Sequence, residues 1–365
     1  MEYAFLLSKE NLEIAREEVL SLIGTNRHSS INNILITEIK NKRMLGNQRF
    51  LAQTPLVIKN LSKRLAYTKS IHSLLFESSY KDFLKNMENF EWNRIYKDDF
   101  CIRTNKINSI IKNPKKNKKI KKNKNYSEKE LASYVWRNVK KPKVNLDNPK
   151  TPIQIFFTRN KVFCCLLLEK SKHDFEKRKS HLRPRPSPIS LHPKLARAMV
   201  NLTSAEENEV ILDPFCGSGG ILIEAGLMGI KTIGYDINKK MIWKSMVNLK
   251  HYKIKNCKLA VKDFFKVNKK YRYIVSDLPY GLSANIMENV RVTRNNRKKM
   301  KKYLESFYNK VIKKLEKILI KRAVIIFPSY INYKKLIKNS KLKLINEFES
   351  YVHGNLTRKI VVLEK

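Results

Sequence analysis

The sequence predicts an α/β protein with a doubly wound, mostly parallel sheet in its C-terminal half and a smaller α+β part before it. Three observations support this prediction. After residue 190, short apolar strands alternate with helical segments, which is the pattern of βαβ units. Before residue 171, a helix is followed by several short strands, which is typical of an α+β module. Residues 171–190 are rich in Lys, Arg, Ser and Pro, and because each Pro favours extended backbone before it, we expect a linker there.

The N-terminal elements are predicted from the spacing of apolar residues. Residues 3–7 predict a strand, and apolar residues at helical spacing predict a helix over 11–23. A capping box formed by Ser127 and Glu130 predicts a helix over 127–139. The remaining predicted elements are strands at 33–39, 56–61 and 100–104, a short helix at 64–73, and a hairpin of strands at 152–157 and 162–168.

The C-terminal elements alternate regularly, and the ends of the strands are the important positions. Ligands of doubly wound sheets bind at the carboxyl ends of the strands, so we expect the chemistry directly after Asp213, Asp236, Val261 and Asp277. The predicted strands cover 210–213, 232–236, 258–261, 273–277 and 323–327, and the predicted helices cover 219–228, 238–251 and 301–318.

The charge of the chain indicates the class of its partner. The 365 residues include 76 Lys and Arg against 32 Asp and Glu, which gives a formal net charge of +44. Such a field favours a polyanion, and nucleic acid is the commonest one. An AT-rich genome would also enrich Lys, Asn and Ile, but it does not explain why acidic residues are few. The apolar fraction of 42% excludes a wholly disordered chain.

Several classes of protein are disfavoured by the absence of their sequence signals. The longest clean apolar run covers only 162–168, whereas a membrane-spanning helix needs about 20 residues. The first residues lack a secretory signal, so we expect a cytoplasmic protein. Five Cys residues without a C-x-x-C pair fit a reducing compartment and argue against a disulfide framework and a thiolate zinc site. We expect no metal and no obligate protein partner, with a monomer as the simplest form.

A glycine-rich turn follows the first C-terminal strand. Residues 213–220 read Asp-Pro-Phe-Cys-Gly-Ser-Gly-Gly and lead from the strand into a helix, so backbone N–H groups are open to a ligand. Gly217 and Gly219 match the start of a dinucleotide fingerprint, but Leu222 stands at its third glycine position. The G-K-[ST] of a phosphate-binding loop is also absent. The turn therefore favours a nucleoside without a pyrophosphate.

Acidic residues follow the next two strands. Asp236 is placed to accept hydrogen bonds from both ribose hydroxyls, and Asp263 is placed to accept one from an adenine amino group. Phe264 is placed to pack on the adenine ring. A single Asp at a strand end is often only a helix cap. Three acids at successive strand ends after a glycine-rich turn are a much more specific signal.

The fourth strand ends in Asp277-Leu278-Pro279-Tyr280, which resembles the signature of amino-methyltransferases that use S-adenosylmethionine. An exocyclic base amine is a poor nucleophile because its lone pair is delocalised into the ring. Asp277 and the Leu278 carbonyl can accept its N–H bonds and localise that lone pair, while Pro279 fixes the carbonyl. Tyr280 can stack on an extruded base. The alternative of Cys216 as a nucleophile is disfavoured, because this motif marks attack by an amine.

The resemblance extends over the whole C-terminal half. Four stretches carry it: Leu-His-Pro-Lys-Leu-Ala-Arg-Ala-Met-Val-Asn-Leu at 191–202, then 213–224, 277–281, and His-Gly-Asn-Leu-Thr-Arg at 353–358. Together they resemble the archaeal tRNA guanine N2-methyltransferases that act at position 10 of tRNA. Residues 148–155 and the Arg-Pro-Arg-Pro segment at 183–186 resemble the end of a THUMP domain, an RNA-binding module. Two features depart from the family: the Lys-rich run at 111–125 looks like an insertion, and Leu278 stands where Pro is common.

This resemblance implies a domain organisation and a set of roles. It implies a ferredoxin-like domain over 1–60 and a THUMP domain over 61–170, which bind tRNA, then a linker over 171–190 and a Rossmann-like methyltransferase domain over 191–365. It implies that S-adenosylmethionine is the cofactor and that Asp277, Leu278, Pro279 and Tyr280 hold the guanine N2 amine. The implied cofactor contacts are Asp213, Gly217 and Gly219 for the amino-acid part, Asp236 for the ribose, Asp263 and Phe264 for the adenine, and His192 in the helix that closes over the cofactor. Cys216 and Ser218 of the same turn are also implied to bind the cofactor.

Other readings stay open from the sequence alone. His192 can instead be a simple helix-start residue, and Arg358 can meet an RNA phosphate or pair with an acid. The enzyme can add one methyl group or two, and it can act on ribosomal RNA, DNA or another tRNA guanosine. A non-catalytic RNA-binding protein is a further alternative, which intact Gly217, Gly219, Asp236 and Asp277 disfavour. Leu222 and the Asp277 motif disfavour a dinucleotide oxidoreductase.

Overall fold

The computed structural model describes residues 1–39, 54–107, 126–188, 190–280, 294–353 and 356–365. The chain divides into two compact units. The N-terminal unit consists of Met1–Arg16, Ile23–Lys63 and Tyr67–Lys172, and the C-terminal unit consists of Glu17–Leu22, Arg64–Ala66 and His173–Lys365. The Lys-rich run at 111–125, Gly281, Gly354 and Asn355 lie outside the described residues.

The N-terminal unit is built on one seven-stranded sheet with helices beside it. Its strands are β1 (Glu2–Leu7), β2 (His28–Ile31), β3 (Ile34–Glu38), β4 (Thr68–Ser78), β5 (Phe100–Lys106), β6 (Thr151–Phe157) and β7 (Val162–Lys170). The helices are α1 (Leu12–Ile23), α2 (Thr54–Arg64), α3 (Phe83–Asn89) and α4 (Glu128–Asn138). The strand order is β2-β3-β1-β4-β7-β6-β5, and the pairs are antiparallel except for the parallel pair of β5 and β6.

Most of the predicted N-terminal elements are confirmed, and two are wrong. The N-cap half of the predicted capping box is confirmed, since the Ser127 side chain accepts a hydrogen bond from the Glu130 N–H at the start of α4. Residues 56–61, predicted as a strand, lie in α2, and residues 64–73, predicted as a helix, lie mostly in β4. In α2 the buried apolar residues are Val57, Ile58 and Leu61, which is helical spacing. Short apolar runs in a sequence do not distinguish a helix from a strand.

The C-terminal unit contains a second seven-stranded sheet. Its strands are β8 (Val210–Asp213), β9 (Lys231–Asp236), β10 (Cys257–Val261), β11 (Tyr271–Asp277), β12 (Leu319–Pro328), β13 (Lys343–His353) and β14 (Leu356–Glu364). The helices are α5 (Pro193–Leu202), α6 (Gly220–Leu227), α7 (Lys239–His251), α8 (Arg294–Ile318) and α9 (Tyr333–Lys338). The strand order is β10-β9-β8-β11-β12-β14-β13, with parallel pairs from β10 to β12 and antiparallel pairs at β14. This confirms the predicted doubly wound, mostly parallel sheet.

The order of the strands positions the site. The chain winds outward from β8 through β9 to β10, and then returns to place β11 on the other side of β8. Such a reversal opens a crevice at the carboxyl ends of the two central strands. Asp213 and Asp277 end those two strands. Within the described ranges, we find no helix that combines the length and the apolar character needed to cross a membrane.

The segment predicted as a linker packs onto the C-terminal unit. Its Arg178 and the α5 residue Arg197 both form ion pairs with Glu224, a fully buried residue of α6, at N–O distances of 2.7 and 2.9 Å. Further along, the Arg185 N–H donates to Asn248 Oδ1 at 2.9 Å. Buried charged partners and backbone hydrogen bonds therefore hold this proline-rich segment, which contains two short 3₁₀ helices at Glu176–Arg178 and Ser180–Leu182, within the C-terminal unit.

Candidate active site

Asp213 is a buried carboxyl group at the end of β8. It is 2% exposed, and its Oδ1 accepts hydrogen bonds from Ser276 Oγ at 2.7 Å and from the Phe215 N–H at 3.2 Å. Burial raises the pKa of Asp213 to about 7 because it penalises the charged form, while the two hydrogen bonds oppose this rise and the neighbouring Asp277 and Asp236 add to it. These hydrogen bonds fix the Asp213 carboxyl group at the start of the glycine-rich turn.

The glycine-rich turn requires glycine at two positions. Gly217 and Gly219 have φ angles of +51° and +85°, in the left-handed region that side chains disfavour. A Cβ at Gly219 would lie 2.5 Å from Ser245 Oγ, so α7 packs directly on the turn. At Gly217 a Cβ would meet nothing within 4 Å. Open space therefore lies beside Gly217, where the sequence predicts the cofactor.

The two acids after the next strands have local hydrogen bonds. Asp236 accepts from the Gly217 N–H through Oδ2 at 3.0 Å and from the Asn238 N–H through Oδ1 at 2.9 Å. Burial raises the pKa of Asp236. Asp263 accepts from the Phe265 N–H at 2.9 Å and caps a short 3₁₀ helix. Each carboxylate oxygen can accept a second hydrogen bond, so these caps are compatible with the predicted contacts to ribose and adenine.

Two more predicted cofactor contacts, Cys216 and Ser218, lie in the glycine-rich turn. Cys216 is buried, and burial raises the pKa of its thiol well above the usual range. Because the thiolate is the reactive form of cysteine, this environment makes Cys216 a poor nucleophile. Ser218 is also buried, and its hydroxyl lies 2.8 Å from the Ser190 hydroxyl.

The last two predicted contacts have clear structural roles. Phe264 is 2% exposed, and its ring packs against Phe215 with centroids 5.3 Å apart. His192 is the N-cap of α5, where its Nδ1 accepts a hydrogen bond from the Lys194 N–H at 3.3 Å. A cofactor contact for Phe264 or His192 stays a prediction beside these observed roles.

Asp277 lies within a small network of charged and polar groups. The Tyr280 hydroxyl donates a hydrogen bond to Asp277 Oδ1, and Arg358 Nε donates to the Tyr280 hydroxyl at 3.2 Å. Burial raises the pKa of Asp277 to about 6, while the positive charge of Arg358 and the hydrogen bond from Tyr280 act in the opposite direction. Arg358, whose role the sequence left open, thus contacts the Asp277 turn.

Two tyrosines fix the backbone of this turn. The Tyr308 hydroxyl, from α8, donates to the Pro279 carbonyl at 2.7 Å, and the Tyr330 hydroxyl, which follows β12, donates to the Tyr280 carbonyl at 2.7 Å. Leu278 is 1% exposed and anchors the turn in the core. Sequence reasoning missed both tyrosines, because they belong to no motif and come from elements distant in the sequence.

The glycine-rich turn and the Asp277 turn lie side by side. Their strands are parallel neighbours, with Tyr273 opposite Ile211 and Ile274 opposite Leu212. The hydrogen bond from Ser276 to Asp213 joins the two strand ends directly. A ligand in the open space beside the first turn would therefore be next to a group bound at the second.

Family models match two overlapping parts of the chain. The model described as an RMKL-like methyltransferase domain matches residues 180–360. A model described as a DNA methylase matches residues 34–246. The second match covers more than half of the chain, so the chain belongs to the wider methylase family that it describes.

Individual relatives narrow this assignment. The tRNA (guanine(10)-N2)-dimethyltransferase of Pyrococcus abyssi is 32% identical over 78% of this chain and 79% of its own. This chain belongs to the tRNA (guanine(10)-N2)-dimethyltransferase family. The family member from Methanothermobacter thermautotrophicus is 29% identical over 100% of both chains. The solved structure of TrmN from Thermus thermophilus is similar over 100% of both chains, with 15% identity and a TM-score of 0.46.

Proposed function

We propose that this protein transfers methyl groups from S-adenosylmethionine to the exocyclic N2 amine of guanosine 10 in tRNA. The first transfer gives N2-methylguanosine, and a second gives N2,N2-dimethylguanosine, the product class in the names of its relatives. One observation carries the proposal: in a chain of this family, the Asp277 turn is hydrogen-bonded through Ser276 to the end of the strand that leads into the glycine-rich turn.

The residues around the glycine-rich turn fit S-adenosylmethionine. The space beside Gly217 and the backbone N–H groups of the turn suit its amino-acid part, and acids at the next two strand ends suit its ribose and adenine. When bound, this cofactor would supply an electrophilic methyl carbon, and its sulfur would keep the electron pair of the broken S–C bond and leave as a neutral thioether. The proposed contacts are Asp213, Cys216, Gly217, Ser218, Gly219, Asp236, Asp263, Phe264 and His192.

The Asp277 turn would activate the amine. The Asp277 carboxylate and the Leu278 carbonyl accept the N–H bonds of guanine N2, which localises the nitrogen lone pair and directs it at the methyl carbon. As the N–C bond forms, the amine loses a proton, and Asp277, with a pKa of about 6, is a suitable acceptor near neutral pH. Pro279 keeps the backbone rigid, and the Tyr280 ring stacks on the guanine.

The N-terminal half would recognise the tRNA. We assign a ferredoxin-like domain to 1–60 and a THUMP domain to 61–170, with the linker at 171–190 and the Rossmann-like methyltransferase domain at 191–365. The net charge of +44 supports binding of folded RNA through its phosphates. We place the reaction in the cytoplasm, where its tRNA substrate is available.

The decisive experiment combines one substrate change with one protein change. The full-length enzyme is incubated with a tRNA transcript, a transcript with adenosine at position 10, and duplex DNA; products are digested to nucleosides and identified by mass spectrometry. We expect methylated guanosine only from the first transcript. We expect Asp277→Ala to abolish transfer while changing tRNA affinity by less than about threefold, because the side chain acts on one amine rather than on the RNA backbone.

Two outcomes would contradict the proposal. Loss of tRNA binding in Asp277→Ala would mean that the residue is structural. Methylation of DNA but not of tRNA would favour the function in the description of the DNA methylase model. That match ends at residue 246, before the Asp277 turn, so it does not include the residues that would hold the amine.

A further inference from the structure

A groove outside the candidate active site runs along α8 in the C-terminal unit. It has a volume of about 510 Å³ and lies between α8 and the connection from β10 to β11. The opposite face of α8 is buried in the core through residues such as Tyr308, Val311 and Leu315. The groove is lined by Phe265, Tyr303, Ser306 and Phe307 and by Lys310, Lys313, Lys314 and Lys317.

The charge of this groove is positive along most of its length. Lys310 and Lys317 are seven residues apart on α8, which separates them by about 10 Å along the helix axis. Lys266, Lys269 and Lys270 are exposed on the neighbouring connection. Among the described residues, no side chain that lines the groove is acidic. An exposed helix face with this composition attracts a polyanion.

The other end of the groove is aromatic and lies toward the active site. Tyr303 is 40% exposed and Phe265 is 36% exposed, so both offer ring surface to a ligand. The Phe307 ring lies between the groove and the candidate active site, since its centroid is 5.9 Å from that of Phe265 and 6.0 Å from that of Phe215. Phe215 in turn donates its N–H to Asp213.

We propose that this groove binds the sugar-phosphate backbone of the RNA substrate beside the nucleotide that enters the active site. The lysines contact successive phosphates, and the aromatic end stacks on an unpaired base, a combination that suits single-stranded RNA. The inference rests on the proposed function for the identity of the RNA. It assigns to the catalytic unit an RNA contact of its own, in addition to recognition by the N-terminal half.

The test compares two triple variants with the same loss of charge. The groove variant is Lys310→Ala, Lys313→Ala and Lys317→Ala; the control is Lys250→Ala, Lys255→Ala and Lys258→Ala, which are exposed residues elsewhere in the same unit. The tRNA affinity is measured at several salt concentrations, and S-adenosylmethionine affinity is measured by calorimetry to report an intact site. We expect the groove variant to bind tRNA about tenfold more weakly, with the slope of log affinity against log salt reduced by about 2. The control slope should change by less than about 0.5.

The outcomes separate this inference from the proposed function. Equal salt slopes in the two triple variants would overturn the proposal that the groove binds RNA, and the groove would then be an ordinary solvated helix face. A wild-type enzyme that leaves tRNA guanosine unmethylated would overturn the proposed function, while the binding comparison would still decide the groove. As a second variant, Tyr303→Ala should weaken tRNA binding without changing the salt slope, because stacking involves no phosphate.

Discussion

At the residue scale, burial and hydrogen bonding give the carboxyl groups of the site different roles. Burial raises the pKa values of both Asp213 and Asp277, to about 7 and about 6. Asp213 is held by Ser276 and by backbone, so it shapes the turn. Asp277 instead contacts Tyr280, and the nearby Arg358 favours its carboxylate form. A carboxyl group that ionises near pH 6 is available as a proton acceptor at neutral pH.

This assignment predicts the pH dependence of catalysis. The carboxylate of Asp277 is the active form, so kcat/KM for tRNA should rise with pH and level off above an apparent pKa near 6. The hydrogen bond from Tyr280 lowers the pKa of Asp277, so Tyr280→Phe should move this rise to higher pH. Tyr330→Phe is the matched control, since it removes a hydrogen bond to the Tyr280 carbonyl but not the one to Asp277. A Tyr280→Phe profile that coincides with the wild-type profile would refute the assignment.

At the scale of elements, the predictable parts of the fold are those with a strong repeating pattern. The strands that end in Asp213, Asp236 and Asp277 could be predicted because each is a short apolar run bounded by glycine or polar residues, within a regular alternation of strands and helices. The helix over residues 56–61 could not be predicted, because a short apolar run fits both a strand and a buried helix face. Tyr308 and Tyr330 meet the Asp277 turn only through tertiary packing, which no local pattern encodes.

The packing of α6 against α5 and the segment before it makes a prediction about stability. Glu224 is fully buried between Arg178 and Arg197, so Glu224→Gln would leave two guanidinium groups without their carboxylate. We expect a loss of about 3–5 kcal/mol in the free energy of unfolding, measured by chemical denaturation. The control Asp174→Asn breaks the exposed ion pair with Lys177 and should cost less than about 1 kcal/mol. Equal losses in the two variants would mean that the buried ion pairs stabilise no more than an exposed one.

At the scale of the whole molecule, charge is the dominant property. A net charge of +44 acts over distances of about one Debye length and favours association with any RNA, so affinity alone does not select guanosine 10. Selection of one guanosine therefore depends on geometry: the RNA has to be held so that a single base reaches the Asp277 turn. The Lys-rich run at 111–125 lies outside the described residues. Its charge would add to the general attraction for RNA but not to the selection of one guanosine.

That distinction predicts the effect of neutralising the run. Replacing its eight Lys residues by Gln keeps the length of the chain and removes up to eight phosphate contacts. We expect weaker tRNA binding and a salt slope smaller by at least about 1, with the methylated position unchanged and the rate at saturating tRNA within about twofold of wild type. Affinity measured against salt concentration and the mapped position of the methyl group provide the two readouts.

Two outcomes would contradict this prediction. An unchanged salt slope would show that the Lys-rich run does not contact RNA. A shift in the modified position would show that the run helps to orient the substrate, because a purely electrostatic contact carries no positional information.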